Sequence, residues 1–140
     1  MIKTFKNKKI LITGHTGFKG SWLTHWLLIM GANVTGFSKD IPTKPSLFDS
    51  LKNSKRIDHI KGDITNPKLI KKIISKVKPD YIFHLAGQSI VANSFTDTVE
   101  TWQTNTLGTV NVLNSLKYLN KKCSVVMVTS DKCYENVEWL

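Results

Sequence analysis

The stretch Thr13-Gly14-His15-Thr16-Gly17-Phe18-Lys19-Gly20 decides the fold. It follows a short apolar run at residues 9–13 and precedes an apolar pattern of helical spacing over residues 18–30. Gly14 permits a tight turn, Gly17 lets the backbone approach a pyrophosphate, and Gly20 permits close packing of helix on strand. The helix N-terminus then presents unpaired N–H groups to an anion. This strand–turn–helix context predicts a dinucleotide-binding turn rather than a purely structural one.

Strands and helices alternate along the rest of the chain. Buried strands are predicted at residues 9–13, 33–37, 57–61, 81–85 and 124–129. Helices are predicted at residues 18–30, 47–51, 67–77 and 99–119, and Trp22 and Trp26 are expected in the core. Because crossovers between parallel strands are right-handed, this order predicts an α/β fold with a doubly wound, Rossmann-type parallel sheet of strand order 3-2-1-4-5. A ligand is expected at the carboxyl ends of the strands.

Composition narrows the class of protein. The 140 residues fit one domain, 41% of them are hydrophobic, and no apolar run approaches a membrane span, so a cytoplasmic location without membrane contact is expected. The net charge of +10 comes from lysines spread along the chain without interleaved aromatic residues. Solvated helix faces explain that pattern better than nucleic-acid binding, although a contribution to binding a small anion stays open. Cys123 and Cys133 stand ten positions apart, which indicates no disulfide framework and no metal site.

Several segments resemble one family. Residues 13–20 are similar to the short-chain dehydrogenase/reductase superfamily, in its extended branch that modifies sugar nucleotides, because the glycine spacing is G-x-x-G-x-x-G. Within that branch the chain most resembles the CDP-glucose 4,6-dehydratases, and the similar segments are residues 14–22, 42–48, 62–64, 84–88, 104–109 and 129–136. The resemblance covers the whole chain but only the N-terminal two fifths of such an enzyme. We therefore expect residues 1–140 to be an N-terminal dinucleotide-binding domain, incomplete, with the later strands and the substrate domain absent.

The resemblance implies NAD as the cofactor and assigns residues to it. Those implied are Gly14, Thr16, Gly17, Phe18 and Gly20 in the first turn, Asp63 and Ile64 at the adenine, Leu85, Ala86 and Gly87 at the end of the fourth strand, and Asn105 in the following helix. Gln88 is expected to contact the substrate. Plainer roles stay open: Asp63 in a turn before Thr65, a simple tight turn at residues 85–87, and Asn105 as a satisfied polar group. His84 is expected to be buried and hydrogen-bonded.

The resemblance also implies a reaction, the dehydration of a nucleotide-activated hexose from CDP-glucose to CDP-4-keto-6-deoxyglucose. A hydride leaves C4 for NAD, water is lost across C5 and C6, and the hydride returns to C6. Ser130 would hydrogen-bond the C4 oxygen, Asp131 would protonate the departing C6 hydroxyl, and Lys132 would remove the C5 proton. A lysine acts as a base only when its pKa is lowered. The alternative for residues 130–132 is a polar turn after the fifth strand.

Three departures from the family pattern stand out. The second strand ends in Ser38-Lys39, without the acid that usually holds the ribose 2′-hydroxyl of NAD, so NADP is not excluded. NAD stays favoured because the CDP-glucose enzymes also lack that acid. No arginine follows Gln88 within residues 89–94. The superfamily's Tyr-x-x-x-Lys pair is matched only by Tyr118 and Lys122, which lie before the fifth strand, and we interpret this match as chance.

These departures leave more than one function open. The 140 residues alone are expected to be inactive, since the Tyr-x-x-x-Lys pair should lie about 20 residues further on in the family pattern. A sugar-nucleotide 4-epimerase or reductase of the same superfamily is an alternative, which Asp131-Lys132 disfavours because epimerases need no acid for a leaving hydroxyl. A non-catalytic NAD-binding fragment or degenerate product is another. The resemblance also implies a nucleotide-sugar partner and a homo-oligomeric parent enzyme.

Overall fold

The sheet has the predicted topology. The computed structural model describes residues 4–130 and 134–135. Five parallel strands form one sheet in the order β3-β2-β1-β4-β5, which confirms the expected doubly wound α/β fold. The strands are β1 (Lys9–Thr13), β2 (Asn33–Ser38), β3 (Asp58–Lys61), β4 (Tyr81–His84) and β5 (Ser124–Met127). The strand order reverses between β1 and β4, and a crevice opens at such a point at the carboxyl edge.

Helices connect the strands. They are α1 (Phe18–Ile29), α2 (Leu47–Ser50), α3 (Pro67–Val77), α4 (Val91–Thr96), α5 (Thr98–Trp102) and α6 (Gly108–Leu116), with a 3₁₀ turn at Asn53–Lys55. The long helix predicted over residues 99–119 is interrupted, because a π-helical segment, Gln103–Leu107, separates α5 from α6. α4 was not predicted from the sequence. α3 begins as expected, since the Asn66 side chain accepts a hydrogen bond from the Leu69 N–H and Pro67 occupies the first turn.

Two apolar clusters form the core, one on each face of the sheet. Leu11 and Ile82 face α3 and α6, where Ile70, Ile74 and Val112 are fully buried. Ile10 and Ile12 belong to the opposite cluster, which Leu27 of α1 joins. Consecutive residues of β1 are thus buried on both faces, as in the centre of a parallel sheet.

The expectation that Trp22 and Trp26 are core residues is wrong. Their exposed fractions are 50% and 61%. α1 instead buries Gly20, Ser21, Thr24 and Leu27. The small residues of that face let the helix lie close to the sheet, and the tryptophans then fall on the far side. The tryptophans and the small buried residues both recur at helical spacing, and hydrophobicity alone does not reveal which of the two faces packs on the sheet.

Apolar side chains are also exposed elsewhere. Val126 of β5 and Val128 beyond it are about half exposed, at 46% and 48%. The helices after β4 expose a larger apolar face, whose members are Val91, Phe95, Val99, Trp102, Leu107, Val110 and Leu113. Within residues 4–130 and 134–135, none of the helices combines the length and the apolar character that crossing a bilayer requires.

Candidate dinucleotide-binding and active site

The glycine-rich turn lies where the sequence predicts, between β1 and α1 at the carboxyl edge of the sheet. Gly14 has a φ of +75°, and a Cβ placed there would lie 2.6 Å from the Ala86 nitrogen and 2.7 Å from the Leu85 carbonyl oxygen. The turn therefore passes directly over the end of β4, which only a glycine with a left-handed backbone permits. A Cβ on Gly20 would overlap the Gly14 carbonyl oxygen and lie 2.8 Å from the His15 Cα. Close contact of backbone with backbone thus fixes the turn.

Gly17 has different surroundings. It is the N-cap of α1 with an extended backbone, and its Cβ would meet only the Gly14 carbonyl oxygen, at 3.4 Å. No side chain caps the helix, and its first turn holds no acidic residue. Lys19 adds a positive charge in that turn. An uncapped helix N-terminus beside open space is suited to an anionic group such as a pyrophosphate.

Thr16 and Phe18 complete this turn in different ways. The Thr16 hydroxyl is buried and donates to the Asp40 carbonyl oxygen at 2.6 Å, which ties the turn to the chain after β2. Phe18 exposes 70% of its surface at the start of α1. The Thr16 side chain is therefore a structural tether of the turn.

His15 anchors the turn from beneath. Its ring is fully buried and lies 2.8 Å from the Ser38 hydroxyl through Nδ1 and 2.7 Å from the His59 ring through Nε2. The Thr16 N–H donates to the same Ser38 oxygen at 3.4 Å. Burial, together with the nearby His59, lowers the pKa of His15 to about 4. A neutral histidine thus connects the turn to β2 and β3.

Three charged side chains gather beside the end of β2. One Asp63 oxygen accepts hydrogen bonds from the Thr65 N–H and hydroxyl at 2.9 and 2.8 Å, and its other oxygen lies 3.4 Å from the Lys39 ammonium. The ammonium also lies 2.7 Å from a Glu100 oxygen. Partial burial opposes ionisation of Asp63, but the hydrogen bonds from Thr65 and the charge of Lys39 outweigh it and lower its pKa. The expected turn role of Asp63 is therefore present, and its second oxygen faces a cation.

The end of β4 is connected to β1 and α6 through His84. Its ring lies 2.6 Å from the Thr13 hydroxyl and 3.0 Å from the Thr109 hydroxyl, and burial lowers its pKa to about 4. The Leu85 N–H donates to the Thr13 carbonyl oxygen, so residues 85–87 pass close to β1. This confirms the expectation of a buried, hydrogen-bonded His84.

Asn105 lies inside the π-helical segment and holds the loop after β4. Its Oδ1 accepts from the Gln88 N–H at 2.7 Å, and its Nδ2 donates to the Gln88 carbonyl oxygen at 2.9 Å. A π-helical bulge often marks a functional site in a helix. The Gln88 side chain bonds to the Ile90 backbone and the Thr101 hydroxyl, so it folds against its own loop.

The remaining candidate residues do not line the glycine-rich turn itself. The Ile64 side chain is buried in the core against Gly108 rather than along the groove. Ser130 comes three residues after β5, on the same carboxyl edge, because Val128 still pairs with the His84 carbonyl oxygen. Asp131 and Lys132 lie outside the described residues. Tyr118 follows the end of α6 at the opposite edge of the sheet, where the Lys71 ammonium lies 3.3 Å from its ring centre.

Sequence reasoning missed the residues that support this edge. Glu100 carries no recognisable signal, since it lies 61 positions from Lys39. His15 could have been suspected, because it stands between two glycines that predict a tightly packed turn, and a buried imidazole there needs polar partners. Among residues 4–130 and 134–135, no cluster of histidine, cysteine or acidic side chains could hold a metal ion.

The geometry describes a Rossmann-type fold with an open glycine-rich turn at the carboxyl edge of its sheet. Residues 11–138 match the GDP-mannose 4,6 dehydratase family, and the chain belongs to that family. It is 43% identical over 136 residues to the CDP-glucose 4,6-dehydratase of Salmonella typhimurium, an alignment that covers 97% of this chain and 38% of that enzyme. The chain therefore spans about two fifths of the length of this curated relative.

Solved structures agree with the fold. An epimerase from Methanothermobacter thermautotrophicus is 29% identical with a TM-score of 0.78, over 93% of this chain and 37% of that one. The UDP-glucose 4-epimerase of Thermus thermophilus, solved in complex with NAD, is 25% identical with a TM-score of 0.69, over 79% of this chain and 34% of that one. The fold seen here is thus shared with both of these epimerases.

Proposed function

We propose that this chain is the N-terminal dinucleotide-binding domain of an NAD-dependent sugar-nucleotide 4,6-dehydratase that converts CDP-glucose to CDP-4-keto-6-deoxyglucose. The observation that carries the proposal is the open, uncapped glycine turn at the start of α1, in a chain that belongs to a 4,6-dehydratase family. The 43% identity to a CDP-glucose enzyme supports the choice of nucleotide and sugar.

The residues present fit a dinucleotide. The free space at Gly17 and the N–H groups of the α1 N-terminus would hold the pyrophosphate, with Gly14 and Gly20 shaping the turn. Asp63 would accept a hydrogen bond from the adenine amino group, and residues 85–87 would line the groove beyond β4. NAD, when bound, would supply the hydride acceptor and donor for the reaction.

The catalytic roles rest on the chemistry of residues 130–132. We propose that Ser130 hydrogen-bonds the C4 oxygen, that Asp131 donates a proton to the departing C6 hydroxyl, and that Lys132 takes the C5 proton, which a C4 ketone makes acidic. Ser130 supports this by its position at the carboxyl edge, beside the end of β4. Lys132 must lose its own proton first, so its pKa in the complete site has to be lowered by burial or a neighbouring cation.

Oxidation at C4 needs a base for the hydroxyl. We propose that a Tyr-x-x-x-Lys pair outside residues 1–140 supplies it, since Tyr118 lies at the wrong edge of the sheet and Lys71 stacks on its ring. On this proposal the 140-residue chain by itself binds dinucleotide but turns over no sugar nucleotide. The domain that holds the sugar would also lie outside these residues.

The test is an assay of the intact protein with CDP-glucose deuterated at C4. A dehydratase moves the label to C6 of a 4-keto-6-deoxy product, which nuclear magnetic resonance detects directly. A 4-epimerase, the function of a structural relative, returns the label to C4 and keeps the C6 hydroxyl. A product that keeps the label at C4 and the hydroxyl at C6 would identify an epimerase and refute the dehydratase. No turnover of CDP-glucose, GDP-mannose or UDP-glucose would favour a non-catalytic dinucleotide-binding protein.

We also propose that the intact protein is a homo-oligomer. Large exposed apolar surfaces often mark interaction sites, and the helices after β4 expose several large apolar side chains. A second copy of the same face would cover Phe95 and Trp102, which expose 81% and 65% of their surfaces. Light scattering should then give a multiple of the monomer mass, and Phe95→Asp should shift it to the monomer. A monomeric wild-type protein would contradict this.

A further inference from the structure

Lys39 occupies the position that usually distinguishes the two nicotinamide dinucleotides. It directly follows β2, where an acid commonly holds the ribose 2′-hydroxyl of NAD and a cation accommodates the 2′-phosphate of NADP. By residue type alone Lys39 would favour NADP. Its ammonium, however, lies 2.7 Å from a Glu100 oxygen and 3.4 Å from an Asp63 oxygen.

The charges of this cluster do not cancel. The hydrogen bond to Glu100 raises the pKa of Lys39, and the pKa of Asp63 is lowered, so both side chains are charged at neutral pH. One ammonium thus stands between two carboxylates, and the cluster carries an excess negative charge. A 2′-phosphate, with a charge of about −1.5 to −2 by analogy with other phosphomonoesters, would have to displace Glu100 and would meet uncompensated negative charge.

We infer that Glu100, by holding Lys39 together with Asp63, is a specificity-determining residue that selects NAD over NADP. A neutral 2′-hydroxyl can donate a hydrogen bond to a carboxylate of the cluster, whereas a phosphate is largely dianionic at neutral pH and is repelled by it. The acid that the second strand lacks is therefore supplied by α5, 61 positions along the chain. This inference rests on the proposed function only in requiring that a dinucleotide binds at the glycine turn.

The cluster can be altered without unfolding the protein. The Lys39 and Glu100 side chains are more than half exposed, at 56% and 58%. Exposed ion pairs contribute little to stability, so Glu100→Gln should leave the thermal unfolding temperature nearly unchanged. The glutamine keeps the size of the side chain and an oxygen for Lys39 but removes the charge.

The experiment is isothermal titration of the intact protein with NAD and with NADP. The wild type should bind NAD at least about tenfold more tightly than NADP, and Glu100→Gln should reduce that preference about tenfold by strengthening NADP binding, within the range of charge-pair effects at interfaces. In the double variant Lys39→Met/Glu100→Gln the gain in NADP affinity should vanish, because no cation remains for the 2′-phosphate. Asp58→Asn is the matched control, since it removes one exposed negative charge at the amino end of β3.

Each outcome decides between the two claims. NAD binding with an unchanged preference in Glu100→Gln would overturn the inference and leave the proposed function standing. Equal or tighter binding of NADP by the wild type would overturn it as well. Failure of the wild type to bind either dinucleotide would overturn the proposed function, and the inference with it. A similar gain in NADP affinity in Asp58→Asn would show a general effect of protein charge and would also refute the role of Glu100.

Discussion

Variants of two glycines in the first turn should distinguish the effect of the turn on folding from its proposed role in cofactor binding. Gly20→Ala adds one methyl group where backbone already meets backbone, and Gly17→Ala adds the same group where there is open space. Because the chemical change is identical and the sites are three residues apart, the two variants serve as controls for each other. We expect the first to destabilise the protein and the second to weaken dinucleotide binding.

The magnitude for Gly20→Ala follows from its neighbours. The new Cβ would overlap the Gly14 carbonyl oxygen and lie 2.8 Å from the His15 Cα, and neither atom can rotate away. Relief requires α1 to move off β1, which would disturb the contacts of Leu27 and Ser21 beneath it. Overpacking of this kind costs about 1–3 kcal/mol where side chains can adjust, and we expect about 3 kcal/mol or more here because backbone must move.

Gly17→Ala should be nearly neutral for folding. Its φ of −69° suits alanine, and its Cβ would meet one oxygen at an ordinary 3.4 Å. The reduced entropy of the unfolded chain stabilises such a variant by about 0.4–1 kcal/mol. Alanine is a poorer N-cap than glycine by a similar amount, so the two effects nearly offset each other. The methyl group would nevertheless stand where a phosphate approaches the helix N-terminus.

The assay is urea unfolding followed by circular dichroism, with NAD titrated into each folded variant. We expect Gly20→Ala to lower the free energy of unfolding and Gly17→Ala to change it by less than about 1 kcal/mol, while NAD affinity falls at least tenfold in Gly17→Ala. Full NAD affinity in a folded Gly17→Ala variant would refute the placement of the pyrophosphate. A stable Gly20→Ala variant would refute the packing argument.

Two further predictions concern protonation and catalysis. Burial lowers the pKa of His15 and of His84 from 6.5 to about 4, so between these values the unfolded state binds more protons and stability falls as the pH falls. As the pH falls from about 6.5 to about 4, each histidine should lower the free energy of unfolding by up to about 3 kcal/mol; above about pH 6.5 nothing is lost. Urea unfolding at several pH values measures this change. In the intact protein, Asp131→Asn should slow water loss about 10²–10⁴-fold while NAD reduction by substrate persists. Single-turnover absorbance of the reduced nicotinamide checks this, and parallel loss of both steps would contradict the acid role.

The part of the fold that sequence predicts well depends on local signals. The apolar run of β1, the glycines after it and the helix that follows act within about 20 residues, and each agrees with the others. Sheet order follows from the handedness of crossovers once the strands are located. The Asn66 cap and Pro67 likewise fix the start of α3 from adjacent residues. Local consistency of this kind explains why the turn and the topology were predicted correctly.

The remaining features depend on contacts between distant residues. The π-helical segment exists where Asn105 bonds to both backbone groups of Gln88, a pairing that helical periodicity does not reveal. The tryptophans of α1 are exposed because small residues give the closer approach to the sheet. The ion pair of Lys39 with Glu100 joins a strand end to a helix that the sequence places far away. Such features follow from tertiary packing, which overrides local pattern.

Each buried histidine, His15 and His84, belongs to a chain of hydrogen bonds that starts at a backbone N–H beside the groove and passes through a hydroxyl group to the imidazole ring. The Thr16 N–H donates to the Ser38 oxygen, and in a neutral His15 protonated on Nε2 the Ser38 hydroxyl would donate to Nδ1 and Nε2–H would donate to His59. The second network runs the same way. The Ala86 N–H donates to the Thr13 oxygen, and the Thr13 hydroxyl donates to Nδ1 of His84.

In that second network, Nε2–H of His84 donates to the Thr109 oxygen, because the Thr109 hydroxyl donates its own hydrogen bond to the Asn105 backbone carbonyl oxygen. A neutral imidazole protonated on Nε2 satisfies the hydroxyl partners named in both networks. A proton added to Nδ1 makes that nitrogen a donor, so the Ser38 or Thr13 hydroxyl could no longer donate to it and would have to rotate. Each network begins at a backbone N–H of a loop beside the groove, Thr16 or Ala86. Protonation would therefore loosen the loops that we propose to hold the dinucleotide, and NAD affinity should decline over the same acidic range as stability.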